Sequence, residues 1–170
     1  MNKQEVREKA KQKRKTEDLE ALSFEIARKL LTLPEFLSAD KIFCYYSVGD
    51  EISTLGIIDV SLSMNKTVCL PKTKEDYSLE FFEYRGGLQM GRFHIPEPTS
   101  EKRADSTEKS VCIVPCLAVN KQFHRVGYGK GCYDRFLKDF KGIKIGLSLY
   151  LEDFEAEETD IPLDKVIFPY

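Results

Sequence analysis

Apolar and polar positions follow one another along this chain in two rhythms, one helical and one strand-like. Leu19, Leu22, Ile26, Leu30 and Leu33 recur at three- and four-residue spacing, which lines one face of a helix up to Pro34. Ahead of it, Asn2 followed by Glu5 has the form of a helix-capping pair, and Thr16 followed by Glu17 and Asp18 can start or restart a helix. KIFCYYSV (41–48) reads as a buried strand. Residues 54–63 return to the helical rhythm, with Leu55, Ile58 and Leu62 on one side and Ser53 as the N-cap. TVCLP (67–71) and SLEFFEY (78–84) are two further strands.

VCIVPCLAV (111–119) is apolar at nearly every position, which suits a central strand covered on both faces. Its internal Pro115 works against that assignment, because proline cannot donate to the ladder. A loop (120–130) follows, then a helix from about residue 131 that carries Phe136, Leu137 and Phe140. KIGLSLY (144–150) is a strand and KVIF (165–168) a short last one. Strands alternating with helices predict an α/β fold, a single three-layer domain over residues 1–170 with a mostly parallel central sheet flanked by helices. A length of 170 residues suits one domain, and no internal repeat, low-complexity tract or long linker divides it.

The net charge of −2 gives no bulk attraction to nucleic acid or to an anionic membrane, but it conceals a segregation. Residues 1–15 carry Lys3, Arg7, Lys9, Lys11, Lys13, Arg14 and Lys15 against only Glu5 and Glu8. Residues 152–160 carry Glu152, Asp153, Glu155, Glu157, Glu158 and Asp160, with no base. The basic arm reads as a solvated face, or as a diffuse field that draws in anionic substrates. An RNA-binding module would rest on residues 3–15 alone, without the aromatic-and-basic platform that single-strand binders use. The five cysteines include Cys44, Cys69 and Cys112 inside apolar runs, and there is no Cys-x-x-Cys pair, so reduced buried thiols are expected. The N-terminus lacks the apolar stretch of a secretory leader, and no apolar run approaches a membrane span. The expectation is a cytoplasmic, monomeric protein.

Glycine is concentrated in one place. VGYGKGCYDRF (126–136) holds Gly127, Gly129 and Gly131 in a chain with only 10 glycines. This loop leaves the carboxyl end of a strand, where open α/β sheets bind ligands, and enters a helix N-terminus, where bare amides favour anions. Arg125 and Lys130 flank it with charge. The spacing is neither that of a Walker loop nor Gly-x-Gly-x-x-Gly, so a tight structural turn and a phosphate cradle stand level on pattern alone. On the cradle reading, a Cβ at Gly129 would obstruct ligand approach more than it would disturb the fold.

Gly127-x-Gly129-Lys130-Gly131-x-Tyr133-Asp134-Arg135 after a Val-Pro-x-Leu-Ala strand resembles the signature of the 5-formyltetrahydrofolate cyclo-ligase family. The likeness covers nearly the whole chain. Lys3-Gln4-Glu5-Val6-Arg7 is similar to the family's N-terminal Lys-x-x-x-Arg, and Tyr46 through Thr54 resembles its folate-contacting strand end. GRFHIPEP (91–98) resembles its Gly-x-x-Gly-Ile-x-Glu-Pro, and Thr159 through Asp164 its C-terminal segment. The family usually has aspartate and glycine where this chain has Asn120 and Phe123, tyrosine at Cys132 and glycine at His94.

What the resemblance implies is an ATP-dependent enzyme that closes 5-formyltetrahydrofolate to 5,10-methenyltetrahydrofolate, with Mg2+ accompanying ATP. A folate- or nucleotide-binding relative without turnover is the alternative. ATP contacts would then come from Lys3, Arg7, Arg125, Gly127, Tyr128, Gly129, Lys130, Gly131, Cys132 and Tyr133. Folate contacts would come from Tyr46, Glu51, Tyr128, Gly129 and Lys130, and magnesium ligands from Asp134 and Asp160. Arg125, Lys130 and Tyr133 would act closest to the chemistry. Each has a plainer reading beside it. Tyr46 and Tyr133 can be core residues, Glu51 can face solvent, and Asp134 is favoured by the helix dipole in any first turn. Asp160 alone is one acid in a solvated acidic run, and Arg135 alone a surface ion-pair partner. Glu97 reads as a rigid-loop residue, and His124 as exposed and idle.

Overall fold

A computed structural model describes all residues, Met1–Tyr170. The chain opens with α1 (Lys3–Arg14), capped by Asn2, whose side chain accepts from the Glu5 amide while Glu5 reaches back to the Asn2 amide. Val6, Ala10 and Arg14, four apart, form its buried stripe. Asp18, rather than Thr16, caps α2 (Leu19–Leu30) by accepting from Ala21 N at 3.2 Å. Ile26 and Leu30 of the expected stripe are fully buried, with Leu19, Leu22 and Leu33 packed at its edge. A short α3 (Pro34–Ser38) turns the chain into β1 (Lys41–Cys44).

The expected strand 41–48 stops at Cys44 because side chains replace the ladder beyond it. Thr54 Oγ donates to Tyr45 O at 2.7 Å and accepts from Ser47 N, and the Glu51 carboxylate accepts from Val48 N. Thr54, not Ser53, therefore occupies the N-cap of α4 (Leu55–Ser63), and its hydroxyl is spent on β1 rather than on the helix. Ser53 N instead donates to Ser23 Oγ on α2. α4 buries Ile57, Ile58 and Ser61, which turns Leu55 and Leu62 to solvent.

β2 (Thr67–Thr73) and β3 (Leu79–Glu83) pair antiparallel, and β4 (Leu88–Met90) with β5 (Pro96–Pro98) makes a hairpin across a 3-10 turn, Arg92–His94. The apolar run expected as one strand over 111–119 is divided at Pro115. β6 (Ser110–Pro115) stays in the sheet, and β7 (Ala118–Val119) leaves it to pair with β8 (Arg125–Val126). α5 (Cys132–Leu137), β9 (Ile143–Leu147) and β10 (Lys165–Ile167) complete the chain.

The central sheet has six strands in the order β10-β9-β6-β1-β2-β3, parallel except for β3. Successive residues of its central strands face opposite cores. Ile42, Cys44, Val111 and Ile113 join the larger cluster under α1 to α4, while Phe43, Cys112 and Val114 join a smaller one under α5. In the smaller core Phe43 meets Phe81, Phe136 and Phe140 at centroid distances of 5.2–6.1 Å. Four cysteines are buried and unpaired, as expected of reduced thiols. No helix is long and apolar enough to cross a membrane.

Asn120 organises the loop beyond β7. Its Oδ1 accepts from Gln122 N and His124 N, and its Nδ2 donates to Phe154 O at 3.1 Å. This closes a turn in which Phe123 takes a left-handed φ of 64°. Asn120→Ala strands these partners, of which Phe154 O is buried, and should cost about 2 kcal/mol in urea denaturation. A change within a few tenths of a kcal/mol would mean that the loop is held from elsewhere.

Candidate active site

Four segments form the near side of one cavity of about 1130 Å³ at the carboxyl ends of the parallel strands. They are the start of α1, the loop after β1, the glycine loop into α5, and residues 157–161, and the chain around Tyr77 and Phe93 closes the opposite side. Every site residue expected from sequence lines it, namely Lys3, Arg7, Tyr46, Glu51, Arg125, Gly127 to Asp134, and Asp160. Neither histidine does.

The basic helix is not a free arm. Lys3 Nζ donates to Asp160 Oδ1 at 2.7 Å, which joins the two ends of the chain. Asp160, expected in a solvated run, is buried with its side chain 4% exposed, and it also accepts from Glu157 N. Arg7 Nε donates to Gly127 O at 2.8 Å, fixing α1 against the glycine loop. Lys9 and Lys13 both pair with Glu152, and Arg14 is buried. Lys3, Arg7, Lys9, Lys13 and Arg14 are thus engaged within the chain, while Lys15 stays exposed.

Arg125, 7% exposed, donates through Nε to Pro115 O at 3.0 Å. Its guanidinium lies 5.4 Å from the Tyr133 ring centre and 3.9 Å from Asp134 Oδ2. Asp134 Oδ1 accepts from Ile161 N, so the residue after Asp160 is tied to Asp134 and both carboxylates share one wall. No group of three or more His, Cys, Asp or Glu side chains gathers as a metal cage. Arg135 spans to Asp76 O and Lys130 O, bracing the loop before β3 against the glycine loop, rather than forming an ion pair.

The far wall went unnoticed in the sequence. Tyr77 and Phe93 stack at 5.4 Å with planes 18° apart, and both have left-handed backbones. Lys130 Nζ lies 5.0 Å from the Tyr77 ring centre. Glu97 holds this wall by accepting from Thr73 N at 2.9 Å, and a Cβ at Gly91 would collide with its carboxylate. His124 also departs from expectation. It is half-buried, with Nδ1 enclosed and unpartnered.

The three glycines serve the fold before any ligand. Gly129 has φ +100° and Gly131 φ +67°, and a Cβ at Gly127 would run into the Arg125 guanidinium. Around them the ionisable groups are set against proton transfer. Burial pushes the Tyr133 phenol well up and Tyr128 up to about 12, and it raises the Cys132 thiol. Burial also raises the Glu51 carboxyl, against the Val48 amide and the Arg14 charge, which pull it down. The cavity thus presents cations, bare amides and carboxylates, but no nucleophile–base pair.

The family model for 5-formyltetrahydrofolate cyclo-ligase matches residues 1–169. The chain belongs to this family. It is 28% identical over 165 residues to the 5-formyltetrahydrofolate cyclo-ligase of Escherichia coli K12, covering 90% of this chain and 91% of the relative. It resembles the NMR structure of Aquifex aeolicus 5,10-methenyltetrahydrofolate synthetase with a TM-score of 0.85 and 29% identity, over 99% of this chain and 90% of that one. A 5,10-methenyltetrahydrofolate synthetase structure from Mycoplasma pneumoniae, 24% identical, shares the fold at a TM-score of 0.80 with full coverage of both chains.

Two of the departures from the cyclo-ligase pattern fall on left-handed backbone. Phe123 and His94, which stand where the family usually has glycine, have φ of 64° and 56°. The chain keeps the left-handed geometry and accepts its strain. Asn120 keeps the two acceptor contacts open to the usual aspartate and adds a donor.

Gly129→Ala should therefore lower the unliganded protein's stability by about 1 kcal/mol, because alanine at φ +100° is strained wherever it points. That adds a cost to the unliganded fold where the sequence pointed mainly to a ligand-blocking effect. Gly56→Ala, helical and with open space around its Cβ, should be neutral or stabilise by about 0.5 kcal/mol. Equal melting temperatures for the Gly129 variant and the parent would remove the structural role.

Proposed function

We propose that this chain catalyses the ATP-dependent cyclisation of 5-formyltetrahydrofolate to 5,10-methenyltetrahydrofolate, releasing ADP and phosphate. The observation that carries the reading is the match to the cyclo-ligase family over residues 1–169, joined to a cavity that gathers every residue of its signature. In this reading the formyl oxygen attacks the γ-phosphorus of ATP and the bond from that phosphorus to ADP breaks. The neighbouring folate nitrogen then attacks the activated formyl carbon, loses its proton, and phosphate leaves carrying the formyl oxygen. Such a reaction asks for alignment and charge neutralisation rather than for a protein nucleophile.

The residues divide the work between the substrates. Lys3, Arg7, Arg125 and Lys130 supply positive charge to the triphosphate, along the loop that Arg7 ties at Gly127. Glu51, with one oxygen on Val48 N and the other without a partner in the chain, accepts from ring NH groups of the reduced pterin, and Tyr46 lines that end. Tyr133, held under the Arg125 guanidinium, packs against the reacting groups.

Asp134 and Asp160 fit Mg2+, which takes one or two carboxylates together with phosphate oxygens and water. Bound there with ATP, the ion would neutralise phosphate charge. The chain's own part is to hold both carboxylates on one wall through the Asp134 bond to Ile161 N. To free Asp160, Lys3 has to pass from its carboxylate to the triphosphate. The reading implies small-molecule substrates and no nucleic-acid partner. It is compatible with a cytoplasmic monomer.

The test is a steady-state assay following methenyltetrahydrofolate absorbance with ATP and Mg2+. A purified, folded chain without turnover would favour a binding relative instead. Asp134→Asn should lower kcat/KM on the order of 100-fold while leaving the fold intact. A folded variant with near-full activity would refute its assignment.

Arg7→Ala should raise the KM for ATP about tenfold or more with little change for folate, and Glu51→Gln should do the reverse. Equal effects on both substrates would show that the division of the cavity is wrong.

A further inference from the structure

Arg14, the last residue of α1, is 3% exposed and carries a full charge into the interior. A buried guanidinium is ordinarily matched by a carboxylate, because desolvation costs several kcal/mol per ion. Arg14 has main-chain partners only. Nη2 donates to Cys116 O at 2.7 Å, Nη1 to Asp50 O at 3.1 Å, and Nε has no partner. A charge kept under those terms needs a reason beyond packing.

Both acceptors adjoin the site. Asp50 precedes Glu51, and Cys116 follows Pro115, whose carbonyl holds Arg125. Arg14, Glu51, Tyr45, Cys116 and Tyr128 enclose a crevice with no room for a water, and Glu51 also lines the main cavity. Across dry protein a charge acts with little screening.

The groups that face Glu51 come from four elements. Cys44 and Tyr45 at the end of β1, Tyr128 of the glycine loop and Tyr133 of α5 are all neutral, their thiol and phenols pushed up chiefly by burial. Asp50 is negative, and Arg14 on α1 is positive.

We propose that Arg14 is a positioning residue for the folate substrate. Its guanidinium clamps the carbonyls beside Glu51 and Arg125 and supplies the positive charge set against the Glu51 carboxylate. This rests on reading Glu51 as the folate contact. An ionised carboxylate accepts at both oxygens, whereas protonation turns one of them into a donor that opposes a ring NH, and burial beside Asp50 works towards that protonation. The Val48 amide and Arg14 oppose that, and of the two only Arg14 carries charge.

The sign is fixed. Glu51 has a raised folded pKa, so folate affinity is full above it and falls as pH drops through it. Removing Arg14 raises it further and moves the loss to higher pH.

The experiment is the pH profile of the folate KM for the full chain, with the ATP KM as reference. Arg14→Met should move the midpoint up by about one pH unit or more. The ATP KM should change less than about twofold. Arg14→Lys, which keeps the charge and loses the fork, should retain the parent midpoint.

An unmoved midpoint in a folded Arg14→Met protein overturns the proposal. If Arg14→Met does not fold, Arg14→Lys decides alone. A folded lysine variant with the parent midpoint supports the charge, while a displaced midpoint or failure to fold overturns it. Glu51→Gln separates the two levels. If it leaves the folate KM unchanged, the reading of Glu51 has failed. If it raises that KM while Arg14→Met leaves the profile in place, only the role of Arg14 has failed.

Discussion

Two guanidiniums meet the end of the central strand β6, Arg125 on the carbonyl of Pro115 and Arg14 on that of Cys116. The strand stops at its proline, the chain turns out into the β7–β8 pair, and two charged donors hold the break, one from the N-terminal helix and one from ten residues downstream. One comes from α1 and the other from β8, so the N-terminal helix, the loop after β1 and the glycine loop are fixed relative to one strand end. Both cations are nearly excluded from solvent, which keeps their fields strong at the cavity. A site for a triphosphate beside an anionic folate needs that positive framework in place before either ligand arrives.

Much of this was legible in the sequence, for reasons that are local. The cap of α1, the apolar stripe of α2 and the doubly covered β6 each follow from a few adjacent residues. The failures are long-range. Ser53 looked like an N-cap, but the Thr54 hydroxyl was needed by β1 and Ser53 by α2. Asp160 looked solvated because its neighbours are acidic, whereas its burial comes from Lys3 at the other end of the chain. Arg14 looked like one more base in a charged arm, and only the packed helix shows which base points inward. The Tyr77–Phe93 stack joins two loops with no periodicity to announce it.

The glycine loop shows how one pattern can carry two causes. Sequence left turn and cradle level, and the backbone angles supply a structural need at Gly129 and Gly131 without excluding a ligand. The close approach at Gly127 is made by Arg125 of the chain itself, so the loop's shape and its charge are one feature. Where the family usually has glycine, Phe123 and His94 keep the left-handed turn at some cost in strain.

The account's central claim is that a single cavity brings the formyl oxygen directly to the γ-phosphorus, with the protein supplying alignment and charge but no covalent partner. The Tyr133 phenol and Cys132 thiol, both raised by partial burial, and the exclusion of both histidines from the lining agree with it. The most direct measurement is turnover of 5-formyltetrahydrofolate labelled with 18O in the formyl group, followed by mass analysis of the released phosphate. Direct transfer puts one labelled oxygen into each phosphate formed. Phosphate released without the label would mean that the formyl oxygen never bonds to phosphorus, and the account would be wrong.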